Sequence, residues 1–74
     1  MFIVTVRTHC GYEKEYKIIE PNYAYFHFGC FIQAIDVEYV GIINGLTGEI
    51  IIEYDNGEIK FYDWKEKRWK SFSI

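Results

Sequence analysis

The Asn56-Gly57 pair constrains this chain more than any other feature of its sequence. Both residues of such a two-residue hairpin turn take positive φ, and the twist of the turn matches that of the strands it joins. The flanking runs, residues 49–54 and 58–64, alternate with period two, so the turn sets a register that can be checked residue by residue. It places Tyr54 opposite Ile59 and Ile52 opposite Phe61 on one face. On the other it places Glu53 opposite Lys60 and Ile51 opposite Tyr62. A slip of one residue would send each of these side chains to the wrong face.

A second hairpin joins residues 2–8 to 12–20 through His9-Cys10-Gly11, a three-residue loop whose last glycine suits a left-handed position. It pairs Val4 with Tyr16 and Phe2 with Ile18 on an apolar face, and Arg7 with Glu13 and Thr5 with Glu15 on a polar one. That is the pattern of an antiparallel pair with one side against a core. A third hairpin folds residues 59–64 onto 69–74 around Lys65-Glu66-Lys67-Arg68, pairing Ile59 with Ile74, Phe61 with Phe72, Asp63 with Lys70 and Trp64 with Trp69. Ile59 and Phe61 face the core in both hairpins that share their strand, and this agreement predicts an antiparallel meander.

The middle of the chain is less regular. Residues 34–43 read as a strand, with Ile35, Val37 and Tyr39 alternating against Asp36 and Glu38, and Gly41 is read as a bulge. Asn44-Gly45-Leu46-Thr47-Gly48 reads as a loop. Over residues 23–33 a short helix near residues 22–30, capped by Asn22 and ended by Gly29, competes with a strand. The density of aromatic side chains favours the strand. The fold class expected is all-β: one domain over residues 1–74, a small antiparallel meander or SH3-like partly open barrel of five or six strands.

Size limits what such a domain can do. At 8.9 kDa a folded chain keeps roughly 4,800 Å² of about 12,900 Å² accessible, enough for one small core and little room for a deep cleft. No apolar run approaches the ~18 residues of a membrane span, and the first residues do not read as a signal peptide, so a cytoplasmic location is expected. Cys10 and Cys30 then read as reduced thiols, Cys30 as a small buried hydrophobe and Cys10 in a turn. The net charge is −3 and unevenly spread: residues 1–63 carry −6 and residues 64–74 carry +3. An acidic whole argues against general coating of nucleic acid, which needs a basic field.

Catalytic and metal chemistry find little support. His9 and His27 are the only acid–base candidates near neutral pH, and no nucleophile setting or phosphate-binding glycine loop accompanies them. His9, Cys10, His27 and Cys30 match zinc in number but not in spacing, because neighbours on a strand point to opposite faces. The expectation is a non-enzyme with no cofactor and no metal. Asp36, Glu38, Glu49 and Glu53 read as the solvent side of half-buried strands.

The distinctive feature is aromatic and basic. Tyr62, Trp64 and Trp69 fall on the face opposite Phe61, with Lys65, Lys67, Arg68 and Lys70 around them. Trp, Tyr and Arg dominate the centres of protein interfaces. A contact for another protein, carried by Tyr62, Trp64, Lys65, Lys67, Arg68 and Trp69, is therefore the leading reading. A homodimer or other homo-oligomer is a further expectation, because one small core struggles to cover two apolar sheet faces. Phe, Tyr, Ile, Asn and Lys, all read from AT-rich codons, supply close to half the chain. Together with the small size this suggests a phage accessory protein: an inhibitor of a host defence or nucleic-acid enzyme, anti-CRISPR-like, that works by occlusion. The alternatives are a single-stranded nucleic-acid binder that stacks bases on the same rings, and an oligomer that sequesters a small signalling nucleotide.

Overall fold

The computed structural model describes residues 1–63 and 65–73. Its elements run β1 (Phe2–Thr8), β2 (Glu13–Ile18), α1 (Pro21–Phe31), β3 (Val37–Asn44), β4 (Ile50–Asp55), β5 (Glu58–Asp63) and β6 (Arg68–Ser73). The strands form one antiparallel sheet in the order β2-β1-β3-β4-β5-β6. The sheet is open, so of the two expected shapes it is the meander, and not the partly closed barrel, that forms.

Two hairpins have the register their sequences dictate. β1 and β2 pair Phe2 with Ile18, Val4 with Tyr16, Thr5 with Glu15 and Arg7 with Glu13, and Gly11 takes φ +91° in the loop between them. β4 and β5 pair Ile52 with Phe61, Glu53 with Lys60 and Tyr54 with Ile59 around Asn56 (φ 49°) and Gly57 (φ 89°). β2, an outer strand of the sheet, alternates acidic and basic residues over most of its length, which discourages pairing with stray strands.

The third hairpin differs from expectation by two residues. Tyr62 lies opposite Trp69, Asp63 opposite Arg68, Phe61 opposite Lys70 and Ile59 opposite Phe72. The expected Phe61–Phe72 and Asp63–Lys70 pairings therefore do not form. The expected Trp64–Trp69 and Ile59–Ile74 pairs involve Trp64 and Ile74, which lie outside the described residues. A two-residue slip leaves each side chain on its face, so the alternation cannot detect it; the turn decides it. Asp63 Oδ1 accepts from the backbone N–H groups of Lys65 (2.9 Å) and Glu66 (3.2 Å), and Lys67 takes φ 54° just before the chain re-enters the sheet. An Asx-type cap and a left-handed residue close the turn over residues 65–67.

Residues 23–33 belong to a helix and the turn that follows it, against the strand favoured above. Glu20 caps α1 by accepting from Asn22 N–H (3.4 Å), and Pro21 opens it where a missing N–H costs nothing. The helix runs through Gly29 and stops at Phe31. Ala24 and Phe28 bury completely or nearly so against Val4, Val6, Val40 and Ile42, with Phe31, Ile32 and Tyr16 packed alongside. α1 packs on β1, β2 and β3, and that docking outweighs the mild preference of aromatics for strands. Among the described residues no helix is long and apolar enough to cross a membrane.

β3 is also corrected. It begins at Val37, leaving Ile35 exposed. Gly41 is no bulge: it pairs regularly with Thr5 and Glu53. The irregularities fall where Thr8 meets Val37 and where Ile42 and Ile43 meet Ile52 and Ile50. Gly41 instead admits the ring of Tyr39, whose hydroxyl would stand 2.6 Å from a Cβ at that position. Tyr39 donates to Glu53 (2.8 Å), and Arg7, paired with Glu38 at 2.8 Å, lies over the same ring at 5.0 Å.

Burial, and then the hydrogen bond to Glu53, pushes the Tyr39 phenol up to about 12 from the ordinary 10. The fold favours the neutral phenol, so this contribution is intact below pH 10 and is lost as pH rises through about 12. Gly41→Val is expected to push the ring off Glu53 and to cost about 1–2 kcal/mol in urea unfolding. In an alkaline absorbance titration the late-ionising tyrosine of the wild type should return toward the ordinary phenol value. A late titration that survives the substitution would contradict this role for Gly41.

Candidate functional site

β5 and β6 extend the sheet beyond the helix. α1 packs on β1, β2 and β3, on the sheet face that carries Ile59. On the face turned away from Ile59, Tyr62 and Trp69 meet across the two strands with ring centroids 5.8 Å apart and planes at 79°. Edge-to-face contact of this kind stabilises by about 0.5–1.5 kcal/mol beyond burial. Trp69 nevertheless remains 48% exposed. The irregularity in β4 turns Ile50 toward the same side, and Gly48, Glu49, Ile50, Tyr62 and Trp69 line a shallow cleft of about 340 Å³. The indole is therefore held by one edge-to-face contact and half open to solvent.

Of the six residues expected to make a partner contact, the structure brings Tyr62 and Trp69 together. Lys65 and Lys67 are exposed in the turn beside them, and Trp64 lies outside the described residues. Arg68 and Lys70 do not surround the rings. They flank Trp69 along β6, so they point to the opposite face, and both are engaged there. Arg68 Nε reaches Glu66 at 2.8 Å; Lys70 Nζ reaches Asp63 at 2.8 Å and Glu66 at 3.1 Å. The hydrogen bond from Lys70, together with the two backbone donors, lowers the Asp63 pKa, and the same contact raises that of Lys70. The basic patch read from sequence is thus largely neutralised by its own carboxylates.

The remaining candidates are dispersed. His9 faces Glu38 (3.8 Å), while Cys10 approaches the Thr8 hydroxyl at 3.1 Å, a contact that lowers the thiol pKa. His27 Nδ1 lies 2.8 Å from the Tyr23 carbonyl, on α1. Cys30, expected to be buried, is exposed, and both thiols are free. Among the described residues no three His, Cys, Asp or Glu side chains converge as a metal site would require. Glu38 and Glu53 are held by Arg7 and Tyr39 rather than presented to solvent as an acidic surface.

Sequence reasoning missed a second exposed aromatic surface, on α1. Phe26 (65%) stands on the side of the helix away from the sheet, with Tyr23 (64%) and Tyr25 (48%) on its two flanks. The signal was present: no charged residue occurs between Glu20 and Asp36. A helix that lacks a polar face is usually covered on every side.

Comparison of the chain with known protein families, with characterised proteins and with solved structures finds no match.

Lys67 separates fold from function in this hairpin. Its positive φ strains an L residue by roughly 1 kcal/mol that glycine does not bear. Lys67→Gly is expected to hold or raise the thermal midpoint while removing one turn cation. A clear fall in the midpoint would show that the turn does not need the left-handed conformation.

Proposed function

We propose that this protein is a non-catalytic protein-binding module whose β5–β6 hairpin docks another protein and occludes a surface on it. The half-exposed Trp69, in edge-to-face contact with Tyr62 and set beside Ile50, carries this reading. A large ring already ordered in the free protein loses little freedom on binding, and such rings dominate interface energetics. The partner would be a host defence or nucleic-acid enzyme, and the chain a phage- or mobile-element-encoded inhibitor acting in the cytoplasm. The small size and low-GC composition support that assignment by analogy.

The alternatives fit the site less well. A single-strand platform stacks successive bases on open ring faces within a basic groove. Here the two rings meet at 79°, and Arg68 and Lys70 are occupied by carboxylates. A pocket for a signalling nucleotide needs polar groups that converge on phosphate. The cleft beside Trp69 offers the Glu49 carboxylate instead.

The test is a plating assay in a bacterium whose nucleic-acid-targeting defence restricts a phage. The wild-type chain is expected to restore plating. Trp69→Ala should lose at least about tenfold of that effect, since truncating an interface centre costs more than 1.4 kcal/mol, while unfolding cooperatively with about 1 kcal/mol less stability. Equal plating by the two proteins would remove the hairpin from the contact. In parallel, quenching of indole fluorescence by an oligonucleotide at low salt would favour the nucleic-acid reading instead.

A further inference from the structure

We propose that the outer face of α1 is a homodimer interface, in which α1 packs antiparallel on α1 of a second copy of this chain. The inference is independent of the β5–β6 reading and uses a different surface.

The geometry of the face is self-complementary. At 100° per residue, the positions furthest round the helix from Ala24 and Phe28 include Asn22, Phe26, Gly29 and, in the turn after α1, Gln33. Their spacing is four, three, four, which reads the same in both directions. An isologous twofold contact needs that property, because each residue must meet its mirror position on the other copy. With the axis between His27 and Phe28, Phe26 of one copy faces Gly29 of the other, and Asn22 faces Gln33. The phenyl ring is a knob and the glycine its hole: a Cβ at Gly29 would meet no atom within 4 Å. A small residue at this position permits the close approach of about 8 Å between helix axes. The polar ends also match. Gln33 spends its amide N–H on the Gly29 carbonyl (2.9 Å), which leaves its carbonyl oxygen to accept from Asn22 of the second copy.

Charge and area support the same occupant. A surface that meets itself must avoid like charges, and the whole of residues 21–35 carries none, in a chain where 26% of residues are charged. A membrane surface is a poorer fit, because interfacial helices that hold to anionic lipid are rich in Lys and Arg. Aromatic side chains cover 150–250 Å² each, so Tyr23 and Phe26 at their observed exposures present roughly 250 Å². Ile19, 85% exposed just before the helix, adds to this. The face is at the low end of interface sizes, below the ~800 Å² per partner of a standard contact, which suits a dimer that forms within the micromolar to millimolar range. The total accessible surface, 5216 Å², also exceeds by about 400 Å² the value expected for a monomer of this mass.

The test is the solution mass of the full chain, by sedimentation equilibrium from micromolar to millimolar concentration. The wild type is expected at twice 8.9 kDa with a thermal midpoint that rises with protein concentration, and Gly29→Glu at the single mass with a cooperative midpoint that does not depend on concentration, because the side chain enters open space in the isolated subunit and leaves its fold intact. Phe26→Ser should also give the single mass, and Trp69→Ala should remain dimeric, which separates this interface from the hairpin. A wild type that stays at the single mass throughout would overturn the proposal. So would a dimer that survives both α1 substitutions, or a monomer that sediments with phosphatidylcholine vesicles through Phe26.

Discussion

The structure depends on the seating of Phe28 and Ala24 against Val4, Val40 and Ile42. These residues supply most of the fully buried apolar surface. They also join the three parts of the chain that are far apart in sequence: the first hairpin, the helix and the central strand. An eleven-residue helix reaches across about three strands. β4 and β5 reach the same core through Ile59, with Ile52 and Tyr54 packed against it, and β6 is held by strand pairing and cross-strand contacts.

This one-sided cover explains where exposed aromatic surface collects. On the sheet, Trp69 is open because it lies on the face opposite α1. On the helix, Tyr23, Tyr25 and Phe26 are open because one face of α1 is spent on the sheet and the other has nothing to meet. The two surfaces belong to different elements and have different chemistry. One is edged by turn lysines and a carboxylate; the other is uncharged throughout. The two proposed contacts, with a second copy and with a different protein, therefore use separate faces.

The outer polar face of the sheet is organised by a different set of contacts. Tyr39 covers Gly41, donates to Glu53 and lies under Arg7, which is itself paired with Glu38. Several acidic residues that read as open surface in the sequence are therefore structural acceptors. The same holds at the last turn, where Asp63 and Glu66 neutralise Arg68 and Lys70. Charge counted along the chain overstated the field available to a partner, since pairing depends on which carboxylate the fold brings near.

Local chemistry was legible where a turn residue and an alternating pattern agreed. Asn56-Gly57 and the Gly11 loop set two registers from sequence alone, because positive φ at those sites admits few turns and a one-residue slip would bury charge. The third register escaped because period-two alternation is unchanged by a two-residue slip, and only the Asp63 cap and the left-handed Lys67 resolve it. The aromatic segment 23–33 had no such local arbiter. Its helical state follows from the core surface of β1 and β3, which accepts Phe28 and Ala24 at helical spacing. The sequence by itself determined the antiparallel strands, their faces and the outward side of the sheet on which Tyr62 and Trp69 stand. Only the tertiary structure decided which aromatics stay exposed, because exposure depends on which sheet face a short helix covers and which of its own sides it turns away, and neither is written in any local pattern.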